Sequence, residues 1–145
     1  MIGLLQRVNG ASVHIDAEAV AEIERGLLVL VGVQKGDEPV QVDRLLERLL
    51  GYRVFNDEAG RMNLSLRDIQ GGLLLVPQFT LAADTKKGMR PGFSSAAEPK
   101  LGERLFTYLV EQAQTQHQPV VCGVFGADMQ VSLINDGPVT FWLET

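Results

Sequence analysis

Between Gly26 and Gly36 the chain runs apolar without alternation from Leu27 to Val33. A strand with one face in water alternates apolar and polar residues, so an unalternating run suits a strand covered on both faces. A second apolar run, Leu73 to Val76, reads the same way and ends in Pro77-Gln78-Phe79-Thr80-Leu81, where a pure core strand would stop. Burying both faces of a sheet requires layers above and below it.

The other segments supply those layers. Ile2 to Val8 and Ser12 to Ile15 read as short strands around Asn9-Gly10, a strong hairpin signal, and Val20 to Ile23 as their neighbour. Asp37 and Pro39 suit the start of a helix on which Val42, Leu45, Leu46, Leu49 and Leu50 recur at helical spacing, with Gly51 ending it. Arg53 to Phe55 starts a strand before the turn 56–60, and Leu73 to Phe79 is a strand carrying the Pro77 segment. Ala82 to Ser95 reads as a long loop with Gly88, Pro91 and Gly92, of the kind that is usually functional or disordered. Pro99 opens a second helix with Leu101, Leu105, Tyr108, Leu109 and Gln112 on one face, and Pro119 closes that region. Val120 to Phe125, Met129 to Ile134 and Val139 to Leu143 are the last strands. The 145 residues suit one domain, 1–145, long enough to bury roughly 68–70% of the unfolded surface. The expected class is α/β: a layered β/β/α fold of mixed, largely antiparallel sheets with two main helices packed outside.

No apolar run approaches the roughly 20 residues that span a bilayer, so no membrane role is expected. The start of the chain has no basic region before its short apolar stretch, unlike a signal peptide. Cys122 is the only cysteine and reads as a small buried hydrophobe, which makes a cytoplasmic location the default.

The familiar hydrolase equipment is missing. The two histidines, His14 and His117, are tied to no nucleophile, and there is no Gly-x-Ser-x-Gly elbow. No His/Cys/Asp/Glu group has metal-ligand spacing, and no Gly-rich run opens a helix after a strand, so neither metal nor cofactor is expected. Thr80 is the obvious nucleophile candidate, but a Thr hydroxyl needs a base and none is evident; a strand Thr bonded to backbone is the plainer alternative.

Asn135-Asp136-Gly137-Pro138-Val139-Thr140 is the second unusual segment. It reads as a hairpin turn, or as a place where an X-Pro bond, for which cis costs only about 0.5–1 kcal/mol, brings backbone close to a ligand. Together with Pro77 to Leu81, with Gln6-Arg7-Val8, Gly51-Tyr52-Arg53, Asp84 to Pro91 and the tail Val139 to Leu143, in this order and spacing, it resembles the D-aminoacyl-tRNA deacylases over the whole chain.

That resemblance implies a fold of two sheets with helices outside, and a homodimer with active sites at the subunit interface. It implies hydrolysis of the ester joining a D-amino acid, or glycine, to the tRNA 3′ end. Backbone N–H groups around Gln78 and Phe79 would hold the ester carbonyl oxygen, a type of contact worth about 2.7–4 kcal/mol per donor, with the terminal ribose hydroxyl helping to activate water. Gly137-Pro138 would be cis and reach into the second subunit's site, holding the α-amino group of a D-residue and leaving no room for an L side chain. Arg7 would hold that bond in place, while Phe125 and Met129 would line the terminal adenine pocket; unaided, these read as an exposed strand charge and two core residues. The net charge of −5 argues against a broad nucleic-acid platform, so any tRNA footprint should be local, with Lys86, Lys87 and Arg90 as its cluster unless they are simply solvated.

One position departs from the family's common form. The first motif usually opens with Ser, and here it is Pro77, which has neither hydroxyl nor N–H. A Pro there also occurs in an animal relative that removes L-amino acids, but that relative lacks the Phe of the motif, and Phe79 is present. Two rivals stand beside the D-specific enzyme: a module that holds tRNA without chemistry, and an editing deacylase for L-aminoacyl-tRNA on the same fold.

Overall fold

The computed structural model describes the full sequence, Met1–Thr145. Its elements follow in the order β1 (Ile2–Ile15), β2 (Glu18–Ile23), β3 (Gly26–Gly32), α1 (Pro39–Gly51), β4 (Phe55–Asn56), β5 (Met62–Leu64), α2 (Leu66–Ile69), β6 (Gly72–Pro77), a 3-10 turn (Phe79–Ala82), α3 (Pro99–Gln116), β7 (Val120–Cys122) and β8 (Gln130–Glu144).

The unalternating runs lie where both faces are covered. In β3, Leu27, Val29 and Val31 enter a core shared with α1 and α3, while Leu28 enters a second core built from strand residues alone. β6 divides in the same way, Leu73 and Leu75 to one side and Leu74 and Val76 to the other. The two strands are parallel neighbours with Leu27 opposite Leu73. The helical face Val42, Leu45, Leu46, Leu49 and Leu50 is buried as its spacing requires.

β1 organises the sheet. Its first half pairs antiparallel with β3 and its second half with β2, while β8 runs antiparallel along its whole other edge, from Ile2 opposite Glu144 to His14 opposite Gln130. β7 adds parallel to β6. The result is a mixed six-stranded sheet with the small β4–β5 hairpin beside it, which is the expected layered α/β class. No helix is long and apolar enough to cross a membrane.

Several local expectations give way. Asn9-Gly10 makes no hairpin: β1 passes straight through it, and the register against β8 shifts between Val8 and Gly10. Pairing along β2, β3 and β8 satisfies far more backbone than a tight hairpin at that point would, and the extra residue is absorbed as a bulge. The chain turns instead at Asp16 and Ala17, both at positive φ (48° and 69°). Asp37 does not cap α1. Glu38 takes that position, its N–H donating to Gln41 Oε1 at 2.9 Å, while Asp37 accepts from the Met1 ammonium at 2.8 Å and the Gln34 N–H at 2.7 Å.

α2 is a helix that apolar periodicity could not reveal, being a single turn; Ser65 and Asp68 cap it reciprocally. Hydrogen bonds from the Ser65 N–H and hydroxyl hold the Asp68 carboxyl below the usual carboxylate range. Finally, the strands expected at Met129 to Ile134 and Val139 to Leu143 are one strand, β8. Val8 pairs with Asn135 and Gln6 with Thr140, so Arg7 faces the unpaired stretch Asp136–Val139, a wide bulge.

Candidate active site

β6 ends at Pro77, and the chain folds at once into the 3-10 turn, so Phe79 lies in that turn and not in the strand expected to include it. The Gln78 N–H donates to Val31 O at 2.7 Å, tying the turn to β3. Within the turn, hydrogen bonding begins with the Leu81 N–H, which donates to Gln78 O at 3.2 Å. Phe79 and Thr80 therefore head the turn with N–H groups that have no acceptor inside it. The Thr80 hydroxyl accepts from Gln78 Nε2 at 2.5 Å.

A cleft of about 260 Å³ opens beside Gln78 and Phe79, lined also by Val31, Phe106, Gly102 and Phe125 among others. Its walls are mostly apolar, as is usual for a small-ligand site. Phe79 is more than half exposed, and its ring leans on Phe93, centroids 5.2 Å apart. Phe125 lines the cleft and Met129 does not. Met129 packs against the strand core, and its sulfur accepts the Val124 N–H at 3.4 Å.

Gly102 belongs to no motif in the sequence. A Cβ there would come within 3.2 Å of Phe125 Cζ, so the ring's seat against α3 depends on a glycine inside a helix. The only sequence signal is the cost of such a glycine, about 0.5–1 kcal/mol relative to Ala.

Thr80 faces a second groove, shared with Asp84, Lys86, Ser95, Trp142 and Glu144. The loop above it is closed at its base by reciprocal Asp84–Gly92 hydrogen bonds of 2.7 and 3.0 Å. Lys86, Lys87 and Arg90 are exposed on that loop, and none takes part in an ion pair.

Gly137-Pro138 sits in the β8 bulge with its peptide bond cis, and Gly137 at φ +136°, where an L side chain is strained. Arg7 reaches into the bulge from β1. Its Nε lies 3.1 Å from both the carbonyl and a carboxylate oxygen of Asp136, and its Nη1 donates to Val54 O at 2.7 Å. Arg7 is thus a buried brace between the bulge and the chain entering β4, not an exposed strand charge.

The two motifs do not meet within one chain. Gly137 and Pro138 line neither cleft around the 3-10 turn. Val31, which holds Gln78, pairs with Gly3, whereas the bulge faces Arg7. That is about 13 Å along β1 and, over three strand spacings, about 14 Å across the sheet.

No three His, Cys, Asp or Glu side chains gather as a metal site. Burial pushes the Cys122 thiol up, away from the reactive thiolate form.

The model of a family described as D-Tyr-tRNA(Tyr) deacylase matches residues 4–144. The chain belongs to this family. A protein of Thioalkalivibrio sulfidiphilus named D-aminoacyl-tRNA deacylase is 66% identical over 99% of this chain and 97% of its own. One of Alkalilimnicola ehrlichii with the same name is 65% identical, over 99% of this chain and 96% of its own. Membership makes the chain one of a family of enzymes. Among solved structures, one named c-Myc DNA Unwinding Element Binding Protein matches at TM-score 0.95 and 37% identity, over 100% of this chain and 99% of that one. A second, described as a probable eukaryotic D-amino acid tRNA deacylase, matches at TM-score 0.81 and 17% identity, over 99% of this chain and 98% of that one, and bears on the fold alone.

Proposed function

We propose that this enzyme hydrolyses the ester bond of D-aminoacyl-tRNA, and of glycyl-tRNA, releasing the amino acid and free tRNA. The observation that carries this reading is the pair of unengaged amides, Phe79 and Thr80, heading a turn beside an apolar cleft in a member of this family. The ester carbonyl oxygen would lie against those N–H groups, which are fixed before reaction and so stabilise the developing oxyanion without reorganisation. The terminal adenine would occupy the cleft against Phe125 and Phe106. An aminoacyl ester is already activated, so the substrate's own ribose hydroxyl, orienting water, suffices in place of a side-chain base. Thr80 supports the turn through Gln78.

Selectivity in this reading is exclusion by backbone supplied from a second subunit. Gly137-Pro138 lies far from the amides of its own chain, and β8 pairs on one edge only. β8 also exposes Ile134 and Trp142, apolar surface that a second copy would cover. Lys86, Lys87 and Arg90 would meet tRNA phosphates above the site. The cytoplasm, where charged tRNA is found, is the expected compartment.

A binding role without chemistry, such as the name of the first structural neighbour describes, is disfavoured by the net charge of −5. The test is deacylation of matched D- and L-aminoacyl-tRNA with glycyl-tRNA alongside. Cleavage of the D and glycyl esters with the L ester spared is the expected result. Equal cleavage of D and L overturns the selectivity, and no cleavage overturns the activity.

A further inference from the structure

A backbone wall rejects one enantiomer only if it cannot move by the width of a side chain, and functional geometry of this kind must hold to about 0.5 Å. The Asp136–Val139 bulge lies outside the β1–β8 register, so the sheet ladder does not fix it. Arg7 grips its first residue, Asp136. Its other end is gripped by the side chain of Asn135. Asn135 Oδ1 accepts the Val139 N–H at 2.8 Å, and its Nδ2 donates to Val139 O at 3.3 Å and to Thr140 Oγ1 at 3.0 Å. One amide thus closes the mouth of the bulge as a neighbouring strand would, by meeting both backbone groups of one residue. Gln6 Nε2, at 3.3 Å, ties the same Thr140 hydroxyl back to β1.

We infer that Asn135 is a positioning residue that sets the width of the bulge, and through it the exclusion of L-residues. The inference rests on the reading of Gly137-Pro138 as the selective wall. Three variants of the full-length protein grade the clip. Asn135→Ala removes all of it. Asn135→Asp keeps the acceptor for the Val139 N–H but turns an oxygen toward Val139 O. Thr140→Val removes the hydroxyl that accepts from Asn135 Nδ2 and Gln6 Nε2 but leaves both Asn135 bonds to Val139 in place.

The experiment measures kcat/KM for D- and L-aminoacyl-tRNA carrying the same amino acid, together with thermal stability and oligomeric state. The expected result is a D/L ratio that falls about tenfold or more in Asn135→Ala through faster L cleavage, less in Asn135→Asp and least in Thr140→Val, in line with how many of the two Asn135 bonds to Val139 each variant loses: both, one and neither. If stability falls while both rates drop together and the ratio holds, Asn135 merely satisfies backbone groups and the inference is overturned. Should Asn135→Ala fail to fold, the ratios of the other two variants decide by the same criterion. A wild-type enzyme that does not distinguish D from L overturns the underlying reading instead, and this inference with it.

Discussion

The Gln78 N–H donates to the Val31 carbonyl oxygen at 2.7 Å, bonding the first residue after β6 to the strand beside it. Gln78 is therefore spent on architecture through its backbone and on Thr80 through its side chain. In the proposed reading, the donors around Gln78 and Phe79 that family resemblance suggests would narrow to Phe79 and Thr80. Pro77 leaves both of those N–H groups in place, since the hydroxyl and the N–H that it lacks are its own.

A proline at the first position of the turn removes one such donor with little effect on the fold, because that N–H makes no bond within the turn and Gln78 is already off the helical region at φ −141°, ψ 78°. Phe79→Pro is expected to lower kcat by about 100- to 1,000-fold, the range for loss of one oxyanion donor. Phe79→Ala, which keeps the N–H, should lose far less. Equal losses in single-turnover assays would show that the ring, and not the amide, matters.

Thr80→Ala removes a hydroxyl whose visible partner is Gln78 Nε2. The expected outcome is retained turnover, reduced by about tenfold or less, the scale of one net hydrogen bond. Abolished turnover together with an acyl-Thr80 adduct trapped in the wild type by mass spectrometry would make Thr80 the nucleophile.

The layered core was legible because Leu27 to Val33 and Leu73 to Val76 have no polar alternation, and two-sided burial is what that pattern means. Asn9-Gly10 reads as a hairpin and is none because a local turn preference competes with pairing to strands that arrive from distant parts of the chain. Residues of the proposed site stood out where the chemistry was odd for a core, as in Gln78-Phe79-Thr80 and Gly137-Pro138. Gly102, Asn135 and the Val54 carbonyl under Arg7 were not legible. Their roles depend on which ring, amide or guanidinium the fold brings alongside, and no spacing encodes that.

Gly102→Ala separates stability from binding. Alanine in a helix interior gains about 0.5–1 kcal/mol over glycine, while the new methyl forces the Phe125 ring to give by a few tenths of an ångström. The melting temperature should hold or rise. KM for aminoacyl-tRNA should rise several-fold with kcat nearly unchanged, the signature of weakened uniform binding. An unaltered KM would place the adenine outside this cleft.

Replacing Lys86, Lys87 and Arg90 together with Gln tests the loop. All three are exposed and free of ion pairs, so stability should change by no more than about 0.5 kcal/mol. If they touch phosphates, KM rises and the slope of log KM against log salt concentration falls by about 2–3, roughly one for each phosphate no longer neutralised. An unchanged slope in a salt titration would show the loop is merely solvated.

The separation of the two motifs makes the sharpest forecast about assembly. If each site joins the Phe79–Thr80 amides of one subunit to the Gly137-Pro138 bulge of the other, chains damaged at different motifs must complement each other. Phe79→Pro keeps its bulge; a chain with Gly137 replaced by Val keeps its amides, but its Cβ would fall 3.1 Å from Arg7 Nη2 and 2.7 Å from Val139 Cγ2. Each alone should be nearly inactive. Mixed in equal amounts under dissociating conditions and reassembled, half the dimers are hybrids, and each hybrid has one intact site. Activity should return to about a quarter of wild type per chain, as two-fold symmetry with shared sites demands. Sites contained within single chains would give no recovery at all, because every chain in the mixture carries one lesion. Native mass spectrometry on the same samples, which resolves hybrid from parent dimers by the masses of their substitutions, establishes that hybrids formed, so an absent recovery in a hybrid dimer would count directly against a site built across the interface.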